Sequence, residues 1–221
     1  MGEITHAARW RKLGSSPDAS PPRLLVSCEY TADASERAKM TVTLNTRNLY
    51  VLPPELALQE AIPVLSRLVK DPEFLDSHVL PLLEEAGRAE DWYVAYRRDD
   101  PYSSCSLQVF VWPSGSATRI HDHSSWGAFC CVVGSVLEER YERADDGSLP
   151  DYARLKKLWR LEWRREDGIS TVLPYERGIH RVGNPTEEPA ISVHLYGPRL
   201  GEIDGRDYDP SRNYVCDRTK D

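Results

Sequence analysis

No run of apolar residues in this chain comes near the roughly 18 needed to cross a bilayer as a helix, so a spanning helix is not expected. The opening residues, Met1-Gly2-Glu3-Ile4-Thr5-His6, hold no basic segment leading into an apolar core. A secretory leader is therefore not expected. Cysteine is sparse: Cys28, Cys105, Cys130, Cys131 and Cys216 are five in number and not spaced as a disulfide framework. Without an export signal they read as reduced thiols, and the expected location is cytoplasmic. Positive charge is in deficit, with 28 Lys and Arg against 35 Asp and Glu, a net charge of −7. Nucleic-acid surfaces need the opposite balance, because phosphates select cationic patches. Neither a nucleic acid nor a membrane is expected as a partner. No internal repeat is visible, so the chain is not read as a repeat array.

What is present suffices for one domain with a real core: 221 residues, 40% of them apolar. Residues 1–22 carry Gly14-Ser15-Ser16-Pro17 and Ser20-Pro21-Pro22 and read as a flexible arm. Residues 23–221 read as a single unit. Segments such as Thr41-Val42-Thr43-Leu44 suggest one or two strands between positions 24 and 52. About 54–87 looks helical, with Leu58, Ile62, Leu65, Leu68 and Val69 at helical spacing and Pro63 expected to kink or split the element. Asp71-Pro72 supplies a cap and a first helical residue for a second helix, which Gly87 could end. From about 91 to 221 the signals are those of strands. Leu107–Trp112, Ala128–Val133, Leu161–Arg164 and Ile191–Leu195 stand between Gly, Pro and Asp turns. Short strands in this rhythm describe an antiparallel sandwich or jelly roll, so the fold class is mainly β with N-terminal helices packed on it.

Four of the six histidines fall in short segments: His121-Asp122-His123, His180 and His194. His is the commonest metal ligand. On a strand, alternate residues share a face, so His121 and His123 can aim at one ion while Asp122 points away. His180, from a distant strand, offers a third corner. Three imidazoles suit zinc, iron, nickel, copper or cobalt.

The spacing Gly115-x5-His121-x-His123-x10-Gly134, followed by Gly168-x5-Pro174-x5-His180-x3-Asn184, resembles the paired motifs of a cupin barrel. A cupin usually places a ligand Glu four residues after the second His, and here that residue is Gly127. A divalent metal on three neutral imidazoles keeps its full charge and favours an anionic ligand such as a thiolate. The segment from His121 to Gly134, with His180-Arg181-Val182-x-Asn184 and Glu188 to Tyr196, resembles cysteine dioxygenase and its bacterial thiol dioxygenase relatives over roughly Tyr93 to Tyr214. The resemblance implies a cupin jelly roll, Fe(II) held by His121, His123 and His180, and a row of Ser192, His194 and Tyr196 beside it, with Tyr196 touching the substrate. It also implies a carboxylate anchor in Tyr96-Arg97-Arg98. In the expected register Tyr96 and Arg98 face the pocket and Arg97 faces away. The implied reaction adds both atoms of O2 to the sulfur of L-cysteine, giving cysteine sulfinic acid. The alternatives are 3-mercaptopropionate or another small thiol acid, a zinc or nickel cupin enzyme, or a non-catalytic metal-binding sensor. Where the animal enzymes carry a Cys that crosslinks to the pocket Tyr, this chain has Gly127. No crosslink is expected, and Tyr196 is expected to ionise freely. Barrels of this kind can act alone, so a monomer is expected.

Overall fold

The computed structural model describes residues 26–29, 41–44, 49 and 52–219. The arm expected over 1–22 lies outside the described residues. The earliest described elements are β1 (Val26–Glu29) and β2 (Thr41–Leu44), an antiparallel pair.

Helix α1 (Pro54–Leu68) runs unbroken through Pro63. A proline removes one backbone hydrogen bond and crowds the preceding turn. Here the burial of Ala57, Leu58, Ala61, Val64, Leu65 and Leu68 on one face outweighs that cost. Helix α2 (Pro72–His78) starts as its sequence dictates: the Asp71 carboxylate accepts from the backbone N–H groups of Glu73 at 2.9 Å and Phe74 at 3.3 Å. It stops well short of Gly87. Pro81 lies in a tight turn over Leu80–Leu82, and a separate short helix α3 (Leu83–Ala86) follows. The long second helix expected from the sequence is thus broken in two.

The remaining chain builds two antiparallel sheets. The first contains β3 (Tyr93–Asp99), β4 (Ser106–Trp112), β6 (Gly127–Val133), β9 (Ser170–Val172) and β11 (Ala190–Tyr196), in the order β3-β4-β11-β6-β9. The second contains β5 (Ile120–His121), β7 (Val136–Arg143), β8 (Leu155–Trp163), β10 (His180–Gly183), β12 (Ile203–Asp209) and β13 (Tyr214–Thr219), in the order β13-β12-β5-β10-β7-β8. Sequence-distant strands lie side by side, as a jelly roll requires. The fold is mainly β and cupin-like, with the helices on its N-terminal side.

Strand alternation divides the first sheet into two faces. Leu107, Val109 and Val111 of β4, Ile191, Val193 and Leu195 of β11, and Ala128, Cys130 and Val132 of β6 form one core with the helical residues. The opposite face presents Phe110, Trp112, Phe129, Cys131 and Ala190 to a second core inside the barrel. Cys130 and Cys131 therefore belong to different cores. Burial raises both thiols, Cys131 to about 12, so both are inert packing groups.

Candidate metal centre

The interior phase of each sheet brings the predicted ligands together. His121 ends β5 and pairs with His180 at the start of β10. His123 lies two residues past the strand, in an extended segment. It stays in phase because Asp122 N–H donates to the Arg206 carbonyl at 3.0 Å and Ser124 N–H to the Asp204 carbonyl at 3.2 Å. One ring nitrogen from each of His121, His123 and His180 falls within 4.8 Å of the others. The Nε2 atoms of His123 and His180 are 3.0 Å apart. Two nitrogens so close must share a proton or a cation.

The outer partners fix which nitrogen is free. His121 Nδ1 lies 2.9 Å from the Arg119 carbonyl, and His180 Nδ1 lies 2.9 Å from a carboxylate oxygen of Glu138. Each partner can only accept, so Nδ1 carries the proton and Nε2 presents a lone pair inward. Burial lowers the basicity of all three rings, that of His121 to about 4. They are neutral at physiological pH, which is the state a metal needs. Among the described residues no carboxylate joins the cluster. Asp122 turns away, as its phase demands, and accepts from Arg206 Nε at 2.9 Å and Tyr208 O–H at 2.6 Å. Three converging neutral rings, two of them with tautomers fixed by their outer partners, fit a divalent transition-metal ion.

A second row stands beside the first. Ser192, His194 and Tyr196 share the barrel face of β11. Ser192 Oγ is 2.7 Å from His194 Nε2, and His194 Nδ1 is 2.9 Å from the Tyr196 hydroxyl. Trp112 Nε1 donates to Ser192 Oγ at 2.8 Å. An indole can only donate, and the buried Ser192 hydroxyl has one other partner among the described residues, so its hydrogen lies toward His194 Nε2. The His194 proton is then on Nδ1, aimed at the Tyr196 oxygen, and the Tyr196 hydrogen is left for a ligand. Phe110 and Phe129 flank the His194 ring at centroid distances of 4.4 and 5.0 Å. Burial lowers His194 to about 3, so it stays neutral. The Tyr196 ring is 5.3 Å from that of His123, which joins the two rows.

The family of a protein with such a site can be read from its whole barrel. The family model for cysteine dioxygenase type I matches residues 92–210. The chain belongs to the cysteine dioxygenase type I family. It is similar to the cysteine dioxygenases type 1 of Danio rerio, at 26% identity over 67% of this chain and 77% of the relative. The same protein of Bos taurus is 28% identical over the same shares. Among solved structures, a cupin 2 conserved barrel domain protein from Salinispora arenicola is 17% identical, with a TM-score of 0.30 over 47% of this chain and 82% of that one.

Two expectations carried over from the cysteine dioxygenase family need correction. Tyr96 and Arg98 do not face the barrel. The register of β3 on β4 shifts between Val94 and Tyr96, so Tyr96 pairs with Val109 and Arg98 with Leu107, both on the helix side. Tyr96 packs against His78, ring centroids 4.3 Å apart and tilted by 38°. Arg97 instead pairs with Gln108, in the phase of the barrel interior, and is held by Asp99 at 3.1 Å. The expected register comes from the family motif, and the irregularity between Val94 and Tyr96 is not visible in that motif. Nor does Tyr196 ionise freely, since burial raises its phenol above the ordinary value of 10.

The family Cys position deserves its glycine here. A Cβ on Gly127 would lie 2.9 Å from Tyr196 Cδ1 and Cε1 and 3.0 Å from Val172 Cγ2. Gly127→Ala must tilt the Tyr196 ring and pull its hydroxyl from His194. The expected result is a stability loss of about 1–3 kcal/mol, typical of overpacking, and a fall in turnover of roughly tenfold, the scale of one lost hydrogen bond. Thermal melting and steady-state oxygen uptake would measure the two effects.

One participant escaped sequence reading. Glu138, on the barrel face of β7, is fully buried and binds His180. Its only signal was an acid in phase with Val136 and Arg140 in the strand following Gly134.

Proposed function

We propose that this protein is an Fe(II)-dependent thiol dioxygenase acting on L-cysteine or a closely related small thiol acid, as a cytoplasmic monomer. The observation that carries this reading is the meeting of two rows inside the barrel: three neutral imidazoles with no acidic ligand among the described residues, and a Ser-His-Tyr relay ending beside them. A metal-binding sensor has no use for the second row.

His121, His123 and His180 would hold the iron. Bound ferrous iron would supply a site for the substrate thiolate and the O2 chemistry that places both oxygen atoms on sulfur, converting R–SH and O2 to the sulfinic acid R–SO2H. The chain's own residues do the rest. The neutral triad leaves the full positive charge of the ion to stabilise a thiolate, whose free pKa is about 8.5. Ser192 fixes the His194 tautomer, and His194 fixes the Tyr196 oxygen. Tyr196, kept as a phenol by burial, offers its hydrogen to an oxygen atom near sulfur as negative charge develops there. The aromatic wall of Phe110, Trp112 and Phe129 excludes water.

The substrate carboxylate needs a cation, and Arg97, half-exposed but in phase with the barrel face of β4, is the candidate this reading takes, since its planar fork can grip two oxygens once it leaves Asp99. Arg97→Gln is expected to raise KM for cysteine by about 10–100-fold, the scale of 1.5–3 kcal/mol for a charged hydrogen bond. Arg98→Gln should change KM less than twofold. The reverse ranking would restore the other register.

The deciding experiment loads the protein with ferrous iron anaerobically and measures oxygen uptake with cysteine, 3-mercaptopropionate, cysteamine and mercaptosuccinate. Sulfinic acid formed from one of them supports the reading. No uptake with any of the four rejects it.

A further inference from the structure

Glu138 stands behind the His cluster, against the outer nitrogen of the His180 ring. Its side chain has no exposure to solvent. Three donors surround it, His180 Nδ1 at 2.9 Å, Ser170 Oγ at 2.6 Å and Trp163 Nε1 at 3.0 Å, and the Arg140 guanidinium lies beside it as an ion pair, with Nε at 2.7 Å. Trp163 and Arg140 can only donate. Ser170 Oγ already receives a hydrogen from Arg140 Nη2 at 3.2 Å, so its own hydrogen goes to Glu138. A carboxylate that accepts all three hydrogens and lies against a guanidinium is held in its ionised form.

The outer partners of His121 and His180 are thus unequal. His121 leans on a neutral carbonyl, whereas His180 leans on an anion. We propose that Glu138 is the positioning residue that supplies, through the His180 ring, the negative charge missing from the ligand set. The acid that a typical cupin places directly on the ion, at the position of Gly127, is here moved one layer outward. The ion keeps an open face, while His180 becomes its strongest donor. This role rests on the metal reading given above. The mechanism is electrostatic and orientational. A carboxylate on the far ring nitrogen raises the electron-donating strength of the near one and locks the ring plane. Glu138 also ties together β7, β8, β9 and β10, since Trp163, Ser170 and His180 each reach it from a different strand. The ring of His180 therefore has no freedom to turn away.

The test is Glu138→Gln, which keeps the shape and an acceptor oxygen for His180 but removes the charge. Ferrous iron is titrated anaerobically into wild type and variant, with no thiol present, and the reduction potential of the bound iron is then measured. The expected result is a 10–100-fold weaker iron affinity and a higher potential, because the oxidised ion loses more from the missing anion than the reduced one. Unchanged affinity and potential in a folded variant would overturn the role. So would weaker affinity at an unchanged potential, which would leave Glu138 as scaffold only. Should Glu138→Gln fail to fold because Arg140 is left buried without its partner, the same measurements on Glu138→Gln/Arg140→Met remove the orphan cation and decide the matter. Wild type that takes up no ferrous iron would sink the proposed function and this role together. Iron uptake without thiol oxidation would sink only the former.

Discussion

Asp122→Ala is expected to cost about 3–5 kcal/mol of stability, the usual range when one partner of a buried ion pair is removed, and to lose the metal with it. Asp122 is fully buried between His121 and His123 but faces the other way. Its carboxylate receives the Arg206 backbone N–H at 2.7 Å, Arg206 Nε at 2.9 Å and Tyr208 O–H at 2.6 Å. Its carbonyl receives Arg218 Nη2 at 2.7 Å. Truncation strands the buried Tyr208 phenol, leaves the Arg206 guanidinium with Glu176 alone, and releases the segment that keeps His123 in phase. Urea midpoint and metal content per chain are the measurements. Asp122→Asn, which keeps acceptors for part of this set, should fall between the two. A wild-type midpoint for the Ala variant would show that the hairpin docks without this clasp.

The metal-free protein should also be labile to mild acid. In the folded state His121 is lowered from its ordinary 6.5 to about 4. Between those values the unfolded chain binds a proton that the folded chain does not, so stability rises with pH across the window. Acidification from 6.5 to 4 should therefore cost about 3 kcal/mol from His121 alone. His194, lowered to about 3, and the similarly lowered His123 and His180 add losses of the same sign. Melting temperatures of the apoprotein at steps between pH 7.5 and 4.5 would display the slope. The same neutrality means that metal uptake at pH 7 should release no protons. Calorimetry in two buffers of different ionisation enthalpy would give equal heats, and release approaching one proton per ring would contradict the buried neutral state.

How much of this was legible in the sequence depends on the range of the forces involved. The His spacings, the Ser-His-Tyr row and the Asp71-Pro72 helix start are local patterns, and the folded chain uses them as they stand. The long apolar strands β4, β6 and β11 were visible because they are buried on both faces. Strands β12 and β13 were not, because Ile203-Asp204-Gly205-Arg206-Asp207 carries hardly any apolar signal. They exist because Asp122 and β5 recruit them across the barrel. Pro63 was misread because tertiary burial overrode a local cost, and Pro81 was passed over although it set the true helix break. The Arg97 phase was not legible, because a family motif carries no information on the register shift between Val94 and Tyr96.

The position of β5 also sets a timetable. This two-residue strand has β10 on one side and β12 on the other, both made later in synthesis. Neither neighbour can hold it while the nascent chain is still short of residues 180–209. The ion-binding nook therefore cannot preform on the ribosome, and it would receive its cargo only after the barrel's closing strands have emerged.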